Sequence, residues 1–332
     1  FQAEDGIRDF CLSRGLGDVY KRQLYGFEYT NNLLFSDSNS AIIDTANPSV
    51  FLSETPSFSR YPNDKATHSA IAGYFKYLKK INTYSNLNFG LRLSHNKVNV
   101  GWDFDSEEFL NDDFSSGFLD QFESLSLKNL SLTGSFGYVT RIFKNNKVSI
   151  NLSSGFRSPN IDDIGKIREN SGILSVPNVE LKPEYVYTLD FGWSKFNKNF
   201  RTNLNLYYTI LNRTIGRDYF MGENNKILYD EELVQTMSNF NLCSSNIYGG
   251  NFDFKTRVLE NILISGNITY TKGSSLKDML PMPSIPPLFG NIKLKILNEK
   301  SQYQLSYRFS SSKDPSTSVS YTHLTLPTKR IV

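Results

Sequence analysis

The sequence predicts an all-β chain whose strands build an antiparallel transmembrane β-barrel. Three observations carry that expectation: side chains alternate with a period of two, connections alternate between short and long, and the composition is rich in rings yet polar overall. Tyr occurs 19 times and Phe 25 times, while mean hydropathy is −0.38. A wall with lipid on one face, water on the other and aromatic girdles at both interfaces uses both kinds of residue.

The two ends break this pattern and are set aside first. Residues 1–23, FQAEDGIRDFCLSRGLGDVYKRQ, resemble translated sequencing-adapter sequence, and residues 318–332, SVSYTHLTLPTKRIV, resemble the matching tail. On this reading Cys11 and His323 belong to appended sequence, and the want of a signal peptide is no argument for the cytoplasm. The domain is then 24–317.

From Leu24 onward one unit repeats: strand, short turn, strand, long polar loop. Leu87, Phe89, Leu91 and Leu93 alternate with Asn86, Asn88, Gly90 and Arg92. Leu130, Leu132, Phe136, Tyr138 and Ile142 alternate with Ser131, Thr133, Ser135 and Arg141. Tyr185, Tyr187, Leu189, Phe191 and Trp193 oppose Thr188, Asp190 and Ser194, and Leu204, Leu206, Tyr208 and Ile210 oppose Asn203, Asn205, Tyr207 and Thr209. The same parity holds for Ile262, Ile264, Ile268 and Tyr270, and for Tyr303, Leu305, Tyr307 and Phe309. A helix would scatter both sets. About eleven such strands are expected.

A soluble sandwich also alternates. Here, however, the strands run ~10 to 13 residues, beyond the usual five or six. The connections 143–147, 195–199, 259–261 and 297–300 are short, whereas those near 33–68, 96–127, 157–183, 214–245 and 273–286 are long. Short turns at one rim and long loops at the other are the mark of an outer-membrane barrel. Placing the short turns on the periplasmic side orients the strands, and the polar series, including Gly90, Asn151 and Asn267, is expected to face the lumen. No run reaches the ~18 to 20 apolar residues of a membrane helix. A net charge of +3 lacks the basic excess that a phosphate backbone calls for, and nucleic acid is not an expected partner.

Residues 153–184 read SSGFRSPNIDDIGKIRENSGILSVPNVELKPE. Phe156, Arg157, Ser158, Pro159 and Asn160 resemble the strand end of the TonB-dependent receptor barrel, an aromatic, a basic residue, a small residue and Pro. Asn178, Leu181, Lys182, Pro183 and Glu184 resemble the segment that opens the family's next strand, although Pro177 precedes Asn178 where the family has Pro after Asn. PMPSIPPLFGNIKL at 281–294 is similar to a late loop-to-strand transition of such barrels. Physically, Pro159 and Pro183 cannot donate to a ladder, and strand termination is their expected role.

The resemblance spans 24–312 and implies a barrel of about 22 strands closed around a plug, of which this chain supplies a central to late part. It implies energised import of a scarce nutrient (siderophore, haem, cobalamin or glycan), with outer-membrane lipid around the wall. The nutrient would bind the extracellular loops, and the TonB protein would act through the plug. The alternatives are a passive porin-like channel and a surface carbohydrate-binding or adhesive β protein.

Other constellations weigh less. The loop WDFDSEEFLNDDF at 102–114 is acid-rich but lacks the ligand order and Gly of an EF-hand, and a solvated outer loop is expected. Asp162 with Asp163, or Glu231 with Glu232, could suggest paired catalytic acids, but neighbours on an extended chain point apart. His68 and His95 stand without HExxH, GxSxG or P-loop patterns, and Cys243 has no metal-ligand spacing. No enzyme activity, cofactor or metal site is expected. Asp162, Asp163, Tyr219, Phe220 and Tyr229 are the candidate substrate-loop contacts, with packing an equal reading for the aromatics.

Overall fold

The structure, a computed structural model, describes residues 10–18, 21–43, 51–56, 59–104, 120–220, 226–229, 232–277, 279–282, 284–298 and 300–313. In chain order, β1 (Phe10–Asp18) pairs with β2 (Lys21–Leu34), and β3 (Asn39–Ile43) pairs with β4 (Phe51–Pro56) in the loop that follows. The next hairpins are β5 (Lys65–Lys80) with β6 (Ser85–Gly101), and β7 (Ser124–Phe143) with β8 (Asn146–Arg157). A loop then carries the one-turn helix α1 (Ile161–Ile164), β9 (Arg168–Asn170) and β10 (Ile173–Ser175). It leads into the hairpin of β11 (Glu184–Phe196) and β12 (Phe200–Asn212). The following loop carries β13 (Ile215–Tyr219), β14 (Lys226–Tyr229) and β15 (Glu232–Asn241). Two hairpins, β16 (Ser245–Leu259) with β17 (Ile262–Ser275) and β18 (Phe289–Leu297) with β19 (Gln302–Ser310), complete the chain.

Twelve strands form one antiparallel sheet in the order β1-β2-β5-β6-β7-β8-β11-β12-β16-β17-β18-β19. Within the segment that the sequence sets aside, Phe10–Asp18 is the outermost of these strands.

Register converts the one-dimensional alternation into two faces. One lateral row reads Leu87, Tyr138, Ile150, Phe191, Leu206, Gly250, Tyr270, each residue opposite the next on the neighbouring strand. The row beside it reads Asn88, Gly137, Asn151, Asp190, Tyr207, Gly249, Thr271. Leu and aromatic side chains on the first face lie exposed, covered by none of the described residues, as a lipid-facing wall requires. The second face is tied by polar contacts, including Asn151 Nδ2 to Asp190 Oδ2 at 3.3 Å and Tyr207 Oη to Thr271 Oγ1 at 2.5 Å. His68 falls on this inner face, opposite Val98, and His95 on the outer one, opposite Leu130.

Strand length locates the core. β6 has 17 residues and β7 has 20, whereas ~9 to 11 tilted residues cross a bilayer. The surplus projects past the membrane at the long-loop rim. There the inner face turns from polar (Ser94, Asn96, Asn129, Ser131) to apolar (Val98, Val100, Leu125, Leu127), all buried. Ile164, Ile167, Leu174, Val176, Leu181 and Val234 from the loops pack on that apolar patch with Trp102 and Phe122.

The long loops are therefore not the irregular polar segments that the sequence suggests. The loops after β8 and β12 combine into a five-stranded sheet, in which β15 pairs with β13, β14 and, in parallel, β10. The physical cause is that each loop holds buried apolar residues whose partners lie in the other loop or on the wall. Local sequence cannot show such pairing.

Candidate functional site

The two motif halves meet at the long-loop rim. β8 and β11 are neighbours in a register that sets Phe156 opposite Tyr185 and Arg157 opposite Glu184. Phe156, Tyr185 and Tyr187 form a run of rings with centroids 6.4 and 6.1 Å apart, at the level where an interfacial girdle sits. Just beyond it the ladder ends, because Pro159, fully buried, has no N–H to give.

Arg157 is the centre of the joint. Its Nε donates to Glu184 Oε2 at 2.5 Å and one terminal guanidinium nitrogen donates to Asp163 Oδ2 at 2.7 Å. Asp163 also serves α1, since its carboxylate accepts from Asn160 N at 3.0 Å while Asn160 Oδ1 accepts from Asp163 N at 2.9 Å. That reciprocal cap satisfies two donors that a helix start otherwise leaves unpaired. Glu184 reaches onward, its Oε1 accepting from Ile215 N at 2.5 Å where β13 begins. One cation thus couples the end of β8, the start of β11 and both folded loops. Burial disfavours the charged guanidinium, but the hydrogen bonds and charges of Glu184 and Asp163 outweigh it and hold the Arg157 pKa above its ordinary value.

The second half acts mostly through backbone. Asn178 Oδ1 accepts from Glu180 N at 2.9 Å, closing a side-chain turn, and Asn178 Nδ2 donates to Asn239 O at 2.8 Å. Asn239 Nδ2 in turn donates to Asp163 O at 2.9 Å. Asn241 Oδ1 accepts from Lys182 N at 2.7 Å, and Asn241 Nδ2 donates to Lys182 O and Arg213 O, each at 2.9 Å. Lys182 therefore enters by its peptide, Leu181 by its buried side chain and Pro183 by ending the loop before β11. Sequence reasoning missed Asn239 and Asn241. The signal was a local one, the alternation of buried Val234, Thr236 and Ser238 with these asparagines, inside a segment read as loop.

The candidate contact residues divide. Asp163 is committed to Arg157, while Asp162 points elsewhere, half-exposed and 3.8 Å from Lys166 Nζ. Phe220 packs edge-on to Phe122 at 6.2 Å and stacks on Phe240 at 6.5 Å, which makes it part of the loop core. Tyr219 is exposed on β13, opposite Met237, four residues along β15 from Asn241. Tyr229 lies opposite Glu232 in the β14–β15 ladder, and its side chain, like Glu231 and the acidic loop from Asp105 on, lies outside the described residues. Among the described residues no group of three or more His, Cys, Asp or Glu is placed to hold a metal ion.

The family model for the TonB dependent receptor-like β-barrel matches residues 5–326. The chain belongs to the TonB-dependent receptor β-barrel family. Solved structures with the same fold include the copper transporter OprC, at a TM-score of 0.66 and 14% identity over 90% of this chain and 41% of that one. The FrpB iron transporter of Neisseria meningitidis superposes at 0.58 with 12% identity, covering 90% of this chain and 41% of its own. The Serratia marcescens hemophore receptor HasR, solved with its hemophore HasA and heme, superposes at 0.60 with 12% identity, covering 92% and 51%. No curated protein matches by sequence. At such identities the likeness is one of fold, and the chain spans about two-fifths to half of these receptors. The TonB-dependent receptor family is one of bacterial outer-membrane transport and receptor proteins.

Proposed function

We propose that the chain is the central to late wall of an energised importer in a bacterial outer membrane. A scarce, bulky nutrient (siderophore, haem, cobalamin or glycan) binds at the folded long-loop rim, and TonB supplies energy through a plug within the bore. The observation that carries this reading is the pairing of an apolar outer face with a polar inner face beneath a rim whose loops are locked by Arg157. A rigid, ordered mouth suits capture of a specific cargo. The wall of a passive channel has no need of it. Asp162 and Tyr219, exposed at that mouth, are the proposed contacts among the described residues, with Tyr229 a third on the same loop sheet.

Detergent extraction of the full gene product tests the setting: recovery in the soluble fraction ends the proposal and favours an adhesive β protein. The uninterrupted reading frame tests the mechanism. A coupling box and plug ahead of the barrel support import, and their absence from that complete frame supports a passive channel. The terminal segments 1–23 and 318–332 are proposed to be appended sequence, and the same locus, read from genomic DNA, is expected to encode other residues there.

A further inference from the structure

The short-turn rim carries a concentration of charge that the fold itself gives no reason for. Arg201 on β12 stands directly opposite Lys255 on β16, Lys255 opposite Ser265 on β17, and Ser265 opposite Lys293 on β18. This row has the parity of Asn203, Asp253, Asn267 and Asn291, and so belongs to the inner face. One row nearer the rim, Arg257, Leu263 and Lys295 follow one another in the same way. Like charges set opposite in a ladder destabilise it. The described ion pairs are Arg92–Glu28, Arg157–Asp163, Arg157–Glu184 and Lys166–Asp162, and none of them involves these cations. A cavity of about 270 Å³ opens between Lys198, Arg201, Lys255 and Arg257, and a second of about 300 Å³ adjoins it across Arg201 with Ser194 and Asn203.

We propose that this inner rim is a docking site for an extended, carboxylate-rich polypeptide segment lying across β12, β16, β17 and β18. The inference rests on the reading that the polar face lines the bore. Three features select the occupant. The cations point away from the lipid face, which disfavours a membrane headgroup. With strands ~4.8 Å apart, Arg201 and Lys293 are separated by about 14 Å, a span that suits successive carboxylates on an extended chain and exceeds one phosphate. Finally, two cavities flanking one arginine offer side-chain seats on either side of a backbone track, with Ser194 and Asn203 as hydrogen-bond partners.

The test measures binding of a fluorescein-labelled peptide of about ten alternating Glu and Ser residues to the full chain in neutral detergent micelles at ~0.05 M salt. The triple variant Arg201→Gln, Lys255→Gln, Lys293→Gln is expected to weaken binding about tenfold or more. The charge-keeping variant Arg201→Lys, Lys255→Arg, Lys293→Arg retains it, as does the outer-face pair Lys79→Gln, Lys272→Gln, whose residues stand opposite Leu87 and Tyr248 and line neither cavity. No binding to the unaltered chain, or displacement by inorganic phosphate at matched charge, overturns the proposal. Equal weakening by the outer-face pair overturns instead the assignment of faces. Should circular dichroism show the neutral triple variant unfolded, the unaltered chain decides: release of peptide on raising salt to ~0.3 M supports the site, and retention overturns it.

Discussion

Arg157 and Glu184 stand opposite one another at the last rung of the β8–β11 ladder, Nε 2.5 Å from Oε2, and between them the chain makes the whole excursion that carries α1, β9 and β10. The pair fixes where the wall ends and where the loop sheet is attached. It is 46% exposed on the arginine side, so solvent screens it well below the strength of a buried pair. A double-mutant cycle on Arg157→Gln and Glu184→Gln, read by denaturant unfolding in micelles, is expected to give a coupling of about 1 kcal/mol. Simple additivity would sink the latch.

Asn241 gives a contrast between side chain and peptide. Asn241→Ala removes its bonds to Lys182 and Arg213, a loss of about 1 kcal/mol for each well-formed bond. Hydrogen exchange at the Lys182 amide is expected to speed up in that variant. Lys182→Met leaves the same amide protected, because the side chain takes no part in the clamp; loss of protection there contradicts the assignment.

Gly165 closes α1 where the turn lies against the wall, and a Cβ at this position falls 2.8 Å from Val100 Cγ1. Gly165→Ala is expected to cost about 1 to 3 kcal/mol through overpacking. The visible consequence is faster tryptic cleavage at Lys166 or Arg168, while cleavage within the twelve-stranded sheet stays slow. Unchanged cleavage at both sites counts against the packing.

Leu174 has no exposed surface and sits between the loop sheet and the wall. Leu174→Ala leaves a cavity worth about 2 to 5 kcal/mol. Protection of the β10 and β15 amides is expected to fall, with β11 and β12 unaffected, because the two layers share side-chain packing rather than a ladder. Uniform loss across all four strands would show that rim and wall unfold as one unit.

The faces are separable by adjacent residues. Leu206→Arg puts a charge into lipid, at a cost of about 2 to 4 kcal/mol near the midplane. Asn205→Arg, one residue earlier, is tolerated on the wet face. Refolding yield into vesicles distinguishes them, and a bilayer-embedded quencher is expected to reach a fluorophore at residue 206 but not at 205. The reverse order would falsify the two-face assignment.

Parity, loop spacing and strand-ending prolines are local properties, and they were readable from residue order: Leu206 against Asn205, the short connection at 195–199 against the long one near 214–245, Pro159 beyond Arg157. A period of two needs only the next residue to declare itself. The resemblance of both motif halves pointed equally well to the family. The tertiary structure alone decided that Asn178 bonds Asn239, that β10 lies parallel to β15, and that Phe220 is spent in packing. Those contacts join segments from about sixty to about a hundred residues apart, across a span whose geometry is set by the width and height of the wall. Only when β6 and β7, from two successive hairpins, stand in register do Val98, Val100, Leu125 and Leu127 present the apolar patch on which the loops can fold.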